Sequence, residues 1–150
     1  MENSIFTSQK EEIEASRFLK EWPRDEKGIK DAFVRFLDVF SQKEDIALSF
    51  VSRPGVSYSL RAMRDRAGKK GRPLCAMVDI IDDNPQERWL SVCFYADTIR
   101  DPAEEGDLIP AGLLGEDGLC FDVFEHKESI ISYLEKRIDE ACASQVRHAD

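Results

Sequence analysis

A chain of 150 residues has the size of one ordinary domain and can bury roughly two-thirds of its unfolded surface without help from metals or disulfides. With 42% hydrophobic and 34% charged residues, it is too rich in core formers to be disordered and too charged to be a membrane protein. Its 30 acidic and 21 basic residues leave a net charge of −9 and an isoelectric point near 4.8, which opposes non-specific attraction to nucleic acid or anionic lipid.

The opening residues, Met1 to Thr7, lack the basic and long apolar regions of a signal peptide, and no run approaches the ~18 apolar residues of a spanning helix. They read as a frayed end of a cytoplasmic protein. Ala15, Phe18, Leu19 and Trp22 then repeat at i, i+3, i+4, i+7, the spacing of one helix face. Ser8 with Glu11 reads as its capping box, and Pro23 as its stop. A second helix follows from Asp25 as N-cap, with Ile29, Ala32, Phe33, Phe36, Leu37 and Phe40 on its stripe and Gly28 in its first turn.

From Asp45 the period falls to two. Ile46, Leu48 and Phe50 alternate with smaller or polar residues as a half-buried strand, and Arg53-Pro54-Gly55-Val56 suits a type II turn. The next strand, Val56 to Arg64, carries Ser57, Ser59, Arg61 and Met63 on a face polar enough to meet water or a ligand. Leu74 to Ile81 is nearly all apolar and reads as a central strand covered on both sides, with Asp79 as its one carboxylate. Arg88 to Ala96 is a fourth strand, and Asp97 to Asp117 reads as an irregular loop with a single helical turn around Pro102–Glu105. Leu119, Phe121 and Val123 mark a fifth strand. A final helix places Ile130, Ile131, Leu134, Ile138, Ala141 and Cys142 on one stripe before a frayed end at 144–150.

The resulting order, ααβββββα, predicts one α+β domain over residues 1–150: a mainly antiparallel five-stranded sheet in two layers with two N-terminal helices and one C-terminal helix. Phe33, Phe36, Leu48, Phe50, Val78, Leu90, Val92, Phe121, Ile131 and Leu134 form the expected core.

Charge is distributed unevenly. Between Arg53 and Arg72, Arg53, Arg61, Arg64, Arg66, Lys69, Lys70 and Arg72 face only Asp65, a local balance of +6. Arg61, Arg64, Arg66, Lys69, Lys70 and Arg72 are therefore candidate anion ligands, against the plainer reading of a solvated hairpin tip. The segment Gly68-Lys69-Lys70-Gly71 matches a bare G-x-x-G clamp, but one joining strands rather than the helices such a clamp needs. Walker and dinucleotide-binding patterns are absent. The Asp97–Asp117 stretch is the acidic counterpart, and its spacing does not fit a calcium loop.

Cys75, Cys93, Cys120 and Cys142 show no metal-ligand or C-x-x-C spacing and read as reduced core thiols, so no metal or cofactor is expected. The weak catalytic constellation is Cys120, Asp122 and His126, with His126 more simply a helix-entry residue. These features favour a non-enzymatic binding or accessory module acting through another protein or a small ligand, with a homodimer compatible with the opposed charge patches. The alternatives are an anion or nucleic-acid binder on the basic 53–72 hairpin and an enzyme built on Cys120, Asp122 and His126.

Overall fold

The structure, a computed structural model, describes residues 5–22, 25, 27–64 and 74–148, with side chains as far as Ala143. Its helices are α1 (Gln9–Glu21), α2 (Ile29–Ser41) and α3 (Glu128–His148). Its strands are β1 (Ile46–Arg53), β2 (Ser57–Arg64), β3 (Leu74–Ile81), β4 (Trp89–Tyr95), β5 (Asp107–Leu113) and β6 (Glu116–Val123). They form one antiparallel sheet in the order β1-β2-β3-β4-β6-β5.

The α+β class agrees with the sequence, but the sheet has six strands rather than five. The added strand, β5, lies in the stretch expected to be loop. Six of its seven residues are exposed, it contains Pro110 and Gly112, and its register shifts between Ile109 and Leu113. An edge strand exposed on both faces has no reason to alternate, so it leaves no period of two to read.

Local chemistry sets the helix ends. Ser8 caps α1 by accepting from the Glu11 N–H at 3.1 Å. The Glu11 carboxylate does not close the expected box, because it accepts from the Phe50 N–H at 2.7 Å and so ties α1 to β1. Pro23, the expected stop, lies outside the described residues. Asp25 does cap α2, accepting from the Ile29 and Lys30 N–H groups at 2.9 and 2.6 Å. Gly28 is the residue at the cap position, at φ 75°, rather than part of the first turn, so the cost of a glycine inside a helix does not arise there. A Cβ at Gly28 would also come within 2.7 Å of the His126 Cβ.

Residues expected to fray are in part tied down. Phe6 bridges Leu48 in parallel, and Leu48 N–H and Thr7 N–H donate to Ile5 and Leu48 carbonyls at 2.9 and 2.7 Å, covering the β1 edge. At the other end the α3 backbone runs on to His148. The expected turn closes β1 to β2, with Gly55 at φ 83° and the Val56 N–H donating to the Arg53 carbonyl at 2.8 Å.

The core follows the apolar stripes, and every residue of the expected list is buried. α1 and α2 pack against β1, α2 also against β4, and α3 against β3. Apart from Cys75, at the register shift between β2 and β3, the strand residues in this cluster belong to one set of alternating positions, including Leu48, Leu60, Val78, Val92 and Phe121. β3 is indeed buried on both sides, but Leu74 and Met77 pack with Cys93, Tyr95 and Leu113 in a second cluster that contains no helical residue. Arg35 on α2 fastens α3 through Glu128 at 2.9 Å and Glu135 at 3.1 Å, holding the Glu128 carboxyl down to about 2.

The cysteines depart from expectation. Cys93 and Cys120 are directly opposed on β4 and β6, with Cα atoms 4.2 Å apart, and form a disulfide. Only Cys75 and Cys142 remain as the expected buried thiols. Spacing in sequence gave no hint of the pairing, because register alone brings residues 27 positions apart into contact. The bond clamps the base of the acidic segment. Denatured, unreduced protein should therefore show two reactive thiols, rising to four after reduction. In the chain-entropy picture, Cys93→Ser with Cys120→Ser should lower stability by up to about 3–4 kcal/mol in urea unfolding. Four thiols before reduction would contradict the assignment.

Candidate functional site

Alternation sends half of each strand's side chains to the face opposite the main core cluster, called helix-free because the buried cluster on it holds no helical residue among those described, and the register aligns them in rows. One row runs Val51, Ser59, Asp79, Ser91, Asp122 across β1, β2, β3, β4 and β6. Beside it lies Ser49, Arg61, Met77, Cys93, Cys120, Asp107, ending on β5. On its other side are Arg53, Ser57, Ile81 and Trp89. A sheet face built to be covered by a helix is apolar; this one holds two serines and two carboxylates in its central row.

Asp79 is the central residue of that row. One of its carboxylate oxygens is buried without a hydrogen-bond partner. Burial pushes its carboxyl above the ordinary range, opposed by the Ser59 hydroxyl and the Arg61 and Arg53 guanidinium groups. Arg61 leans toward the row by donating from Nε to Ser59 Oγ at 3.3 Å. Ser91 Oγ lies 3.5 Å from Cys93 Sγ. Burial and the neighbouring Asp107 likewise raise Asp122.

Aromatic surface borders the row. The Trp89 ring packs 5.0 Å from that of Phe124, which is 57% exposed. Asp122 and Phe124 also line a cleft of about 460 Å³, together with Glu105, Lys127, Ile130 and Tyr133. Tyr133 is fixed there by a short hydrogen bond to Asp101, which also accepts from the Glu105 and Gly106 N–H groups at 3.0 and 2.9 Å. Although burial opposes ionisation of Asp101, these three donors together hold its carboxyl below the ordinary range.

The weak catalytic constellation draws on the sheet and on the entry of α3. Cys120 and Asp122 share the helix-free face, but the Cys120 sulfur is bonded to Cys93 and so offers no thiolate. His126 packs on Gly28, and its N–H donates to the Lys27 carbonyl at 2.7 Å, locking the entry of α3 to that of α2. Of the basic candidates, Arg61 stands on the helix-free face and Arg64 ends β2 opposite Ile46. Arg66, Lys69, Lys70 and Arg72 lie outside the described residues.

Sequence reading singled out Asp79 and the polar face of β2. It missed the row itself, because only the register shows that Ser59, Asp79, Ser91 and Asp122 are neighbours. Among the described residues, no three His, Cys, Asp or Glu side chains gather as a metal-ligand set, and no helix is long and apolar enough to cross a membrane. Compared with family models, curated proteins and solved structures, the chain matches none.

Proposed function

We propose that this protein is a non-enzymatic binding module that holds a small polar ligand on the helix-free face of its sheet, in a two-layer arrangement whose helices cover only the other face. The observation that carries this reading is the row Ser59, Asp79, Ser91, Asp122, in which polar groups sit where a covered sheet would place apolar ones. The bordering Trp89 and Phe124 rings supply apolar contact area, and the adjoining cleft supplies depth.

The two tryptophans make the reading testable. Trp89 stands on the proposed face, whereas Trp22 packs among Phe18 and Arg88 in the helical layer. In amide and indole N–H spectra recorded against a library of polar metabolites, binders should move the Trp89 indole signal and leave that of Trp22 in place. Ser91→Trp, which fills the middle of the row, should abolish the response. Binders that move Trp22 alone, or that are indifferent to Ser91→Trp in a folded variant, would overturn the proposal.

The second reading, anion or nucleic-acid binding, is favoured by Arg53 and Arg61 sharing this face. It requires affinity that falls steeply with salt.

A further inference from the structure

The helix-free face is electrically polarised. Its cations, Arg53 and Arg61, come from β1 and β2, while its carboxylates beyond Asp79 include Asp122 on β6 and Asp107 on β5. Among the described residues Arg53, Arg61, Asp107 and Asp122 make no ion pair within 4 Å, although Arg53 and Arg61 act electrostatically on Asp79, and Arg61 donates to Ser59. Two ends of opposite charge, held apart on one rigid sheet, suit a ligand that carries both signs. An anion alone leaves the carboxylates unanswered, and a cation alone leaves the arginines.

The geometry also sets the ligand's length. β2 and β6 are separated by β3 and β4, and Asp122 lies one row away from Arg61, so three strand spacings and a two-residue offset put the two residues about 16 Å apart. Arg61 turns along β2 toward Ser59, level with the Asp122 row, which leaves three strand spacings, about 14 Å, between the two charged ends, and the Asp122 side chain and a contact of about 3 Å at either end take up part of that. A gap of about 6–10 Å is left, which two or three extended residues span. Ser91 lies between the ends with a hydroxyl able to meet a peptide amide, and Trp89 with Phe124 offers a wall for a side chain. Asp79 also lies between, and the ligand's carboxylate would share the Arg61 and Arg53 field with it.

We propose that the ligand of this face is a short free peptide of two or three residues, its carboxylate held by Arg61 and its amino terminus by Asp122. A longer chain would have to bow off the face to set both termini on it. The inference rests on the reading of this face as the binding site and adds the ligand's class.

The test titrates the intact protein with trialanine, N-acetyl-trialanine and trialanine amide, following both indole signals. Trialanine should move the Trp89 signal, and each blocked form should bind about tenfold more weakly, as expected on losing one charged contact. Arg61→Gln should erase the difference between trialanine and its amide. Asp122→Asn should erase the difference between trialanine and its acetylated form. Both changes replace a charge on a solvent-facing strand position, and a retained amide spectrum confirms the fold.

Equal binding of the three probes at Trp89 would overturn the peptide inference and leave the face as the site. So would an unmoved Trp89 with trialanine while another polar molecule shifts it. Movement of Trp22 in place of Trp89 would sink both proposals.

Discussion

Phe36→Ala is expected to lower the free energy of unfolding by about 3–5 kcal/mol, a large share of the ~5–15 kcal/mol that holds a domain together. The ring is fully buried in the middle of α2, the helix that packs at once on α3, β1 and β4. Removing it takes away the ring's transfer free energy and leaves a cavity between elements that cannot all close on it. Phe33, Phe40, Ile29 and Ala32 are buried on the same helix, so little side-chain freedom is available to refill the space. Asp38→Ala, on the exposed side of that helix, should stay within about 0.5 kcal/mol. Urea unfolding of the two variants beside the parent checks both. A Phe36→Ala loss under about 1 kcal/mol would mean that the helices collapse onto the gap.

Phe36 shows which part of the fold is legible in sequence. A buried helix face must repeat near 3.6 and a half-buried strand near two, so α1, α2, α3 and the covered strands announce themselves through which residues are apolar. The ten expected core residues are buried for that reason. β5 carries no such constraint: it lies at the sheet edge with Leu108, Ile109 and Pro110 all in water. Its existence is dictated by the pairing of Asp107, Leu108 and Ile109 with β6, a long-range fact that no local pattern encodes.

The candidate site is legible to a lesser depth. Alternation in β2 and the stray carboxylate in β3 are local, and both point to the helix-free face. That Ser59 faces Asp79, Asp79 faces Ser91 and Ser91 faces Asp122 depends on three registers, each set by packing on the other side of the sheet. The same dependence hid the Cys93–Cys120 bond. It also hid the use of Glu11, whose spacing from Ser8 suggests a capping box while its carboxylate serves β1.

Asp82→Ala is expected to cost about 3–5 kcal/mol, because it strands a buried arginine. Asp82 Oδ1 accepts from Arg88 Nε at 2.7 Å, with the two side chains only 5% and 9% exposed, and Asp82 Oδ2 accepts from the Gly55 N–H at 2.9 Å. The guanidinium lies 4.8 Å from the Phe18 ring centre, 5.1 Å from that of Trp22 and 5.9 Å from that of Tyr58, and its Nη1 has no hydrogen-bond partner. Without Asp82, the charge rests on aromatic faces alone, and the turn N–H of Gly55 loses its acceptor. Arg88→Met keeps the apolar contacts but leaves the carboxylate buried without its cation, so it should also destabilise strongly. Because a buried ion pair gains little over well-packed apolar groups, Asp82→Leu combined with Arg88→Met should cost less than Asp82→Leu alone and Arg88→Met alone added together. Urea unfolding of this double-mutant cycle measures the difference, and additive costs would show that the two side chains do not act as a pair. The pair bears on function through its place in the chain. Asp82 directly follows Ile81 and Arg88 directly precedes Trp89, so loosening their contact frees the β3–β4 hairpin next to the row that carries Asp79 and Ser91. Variants of either residue should therefore broaden the Trp89 indole signal before they unfold the domain, whereas the signals of α3 stay sharp.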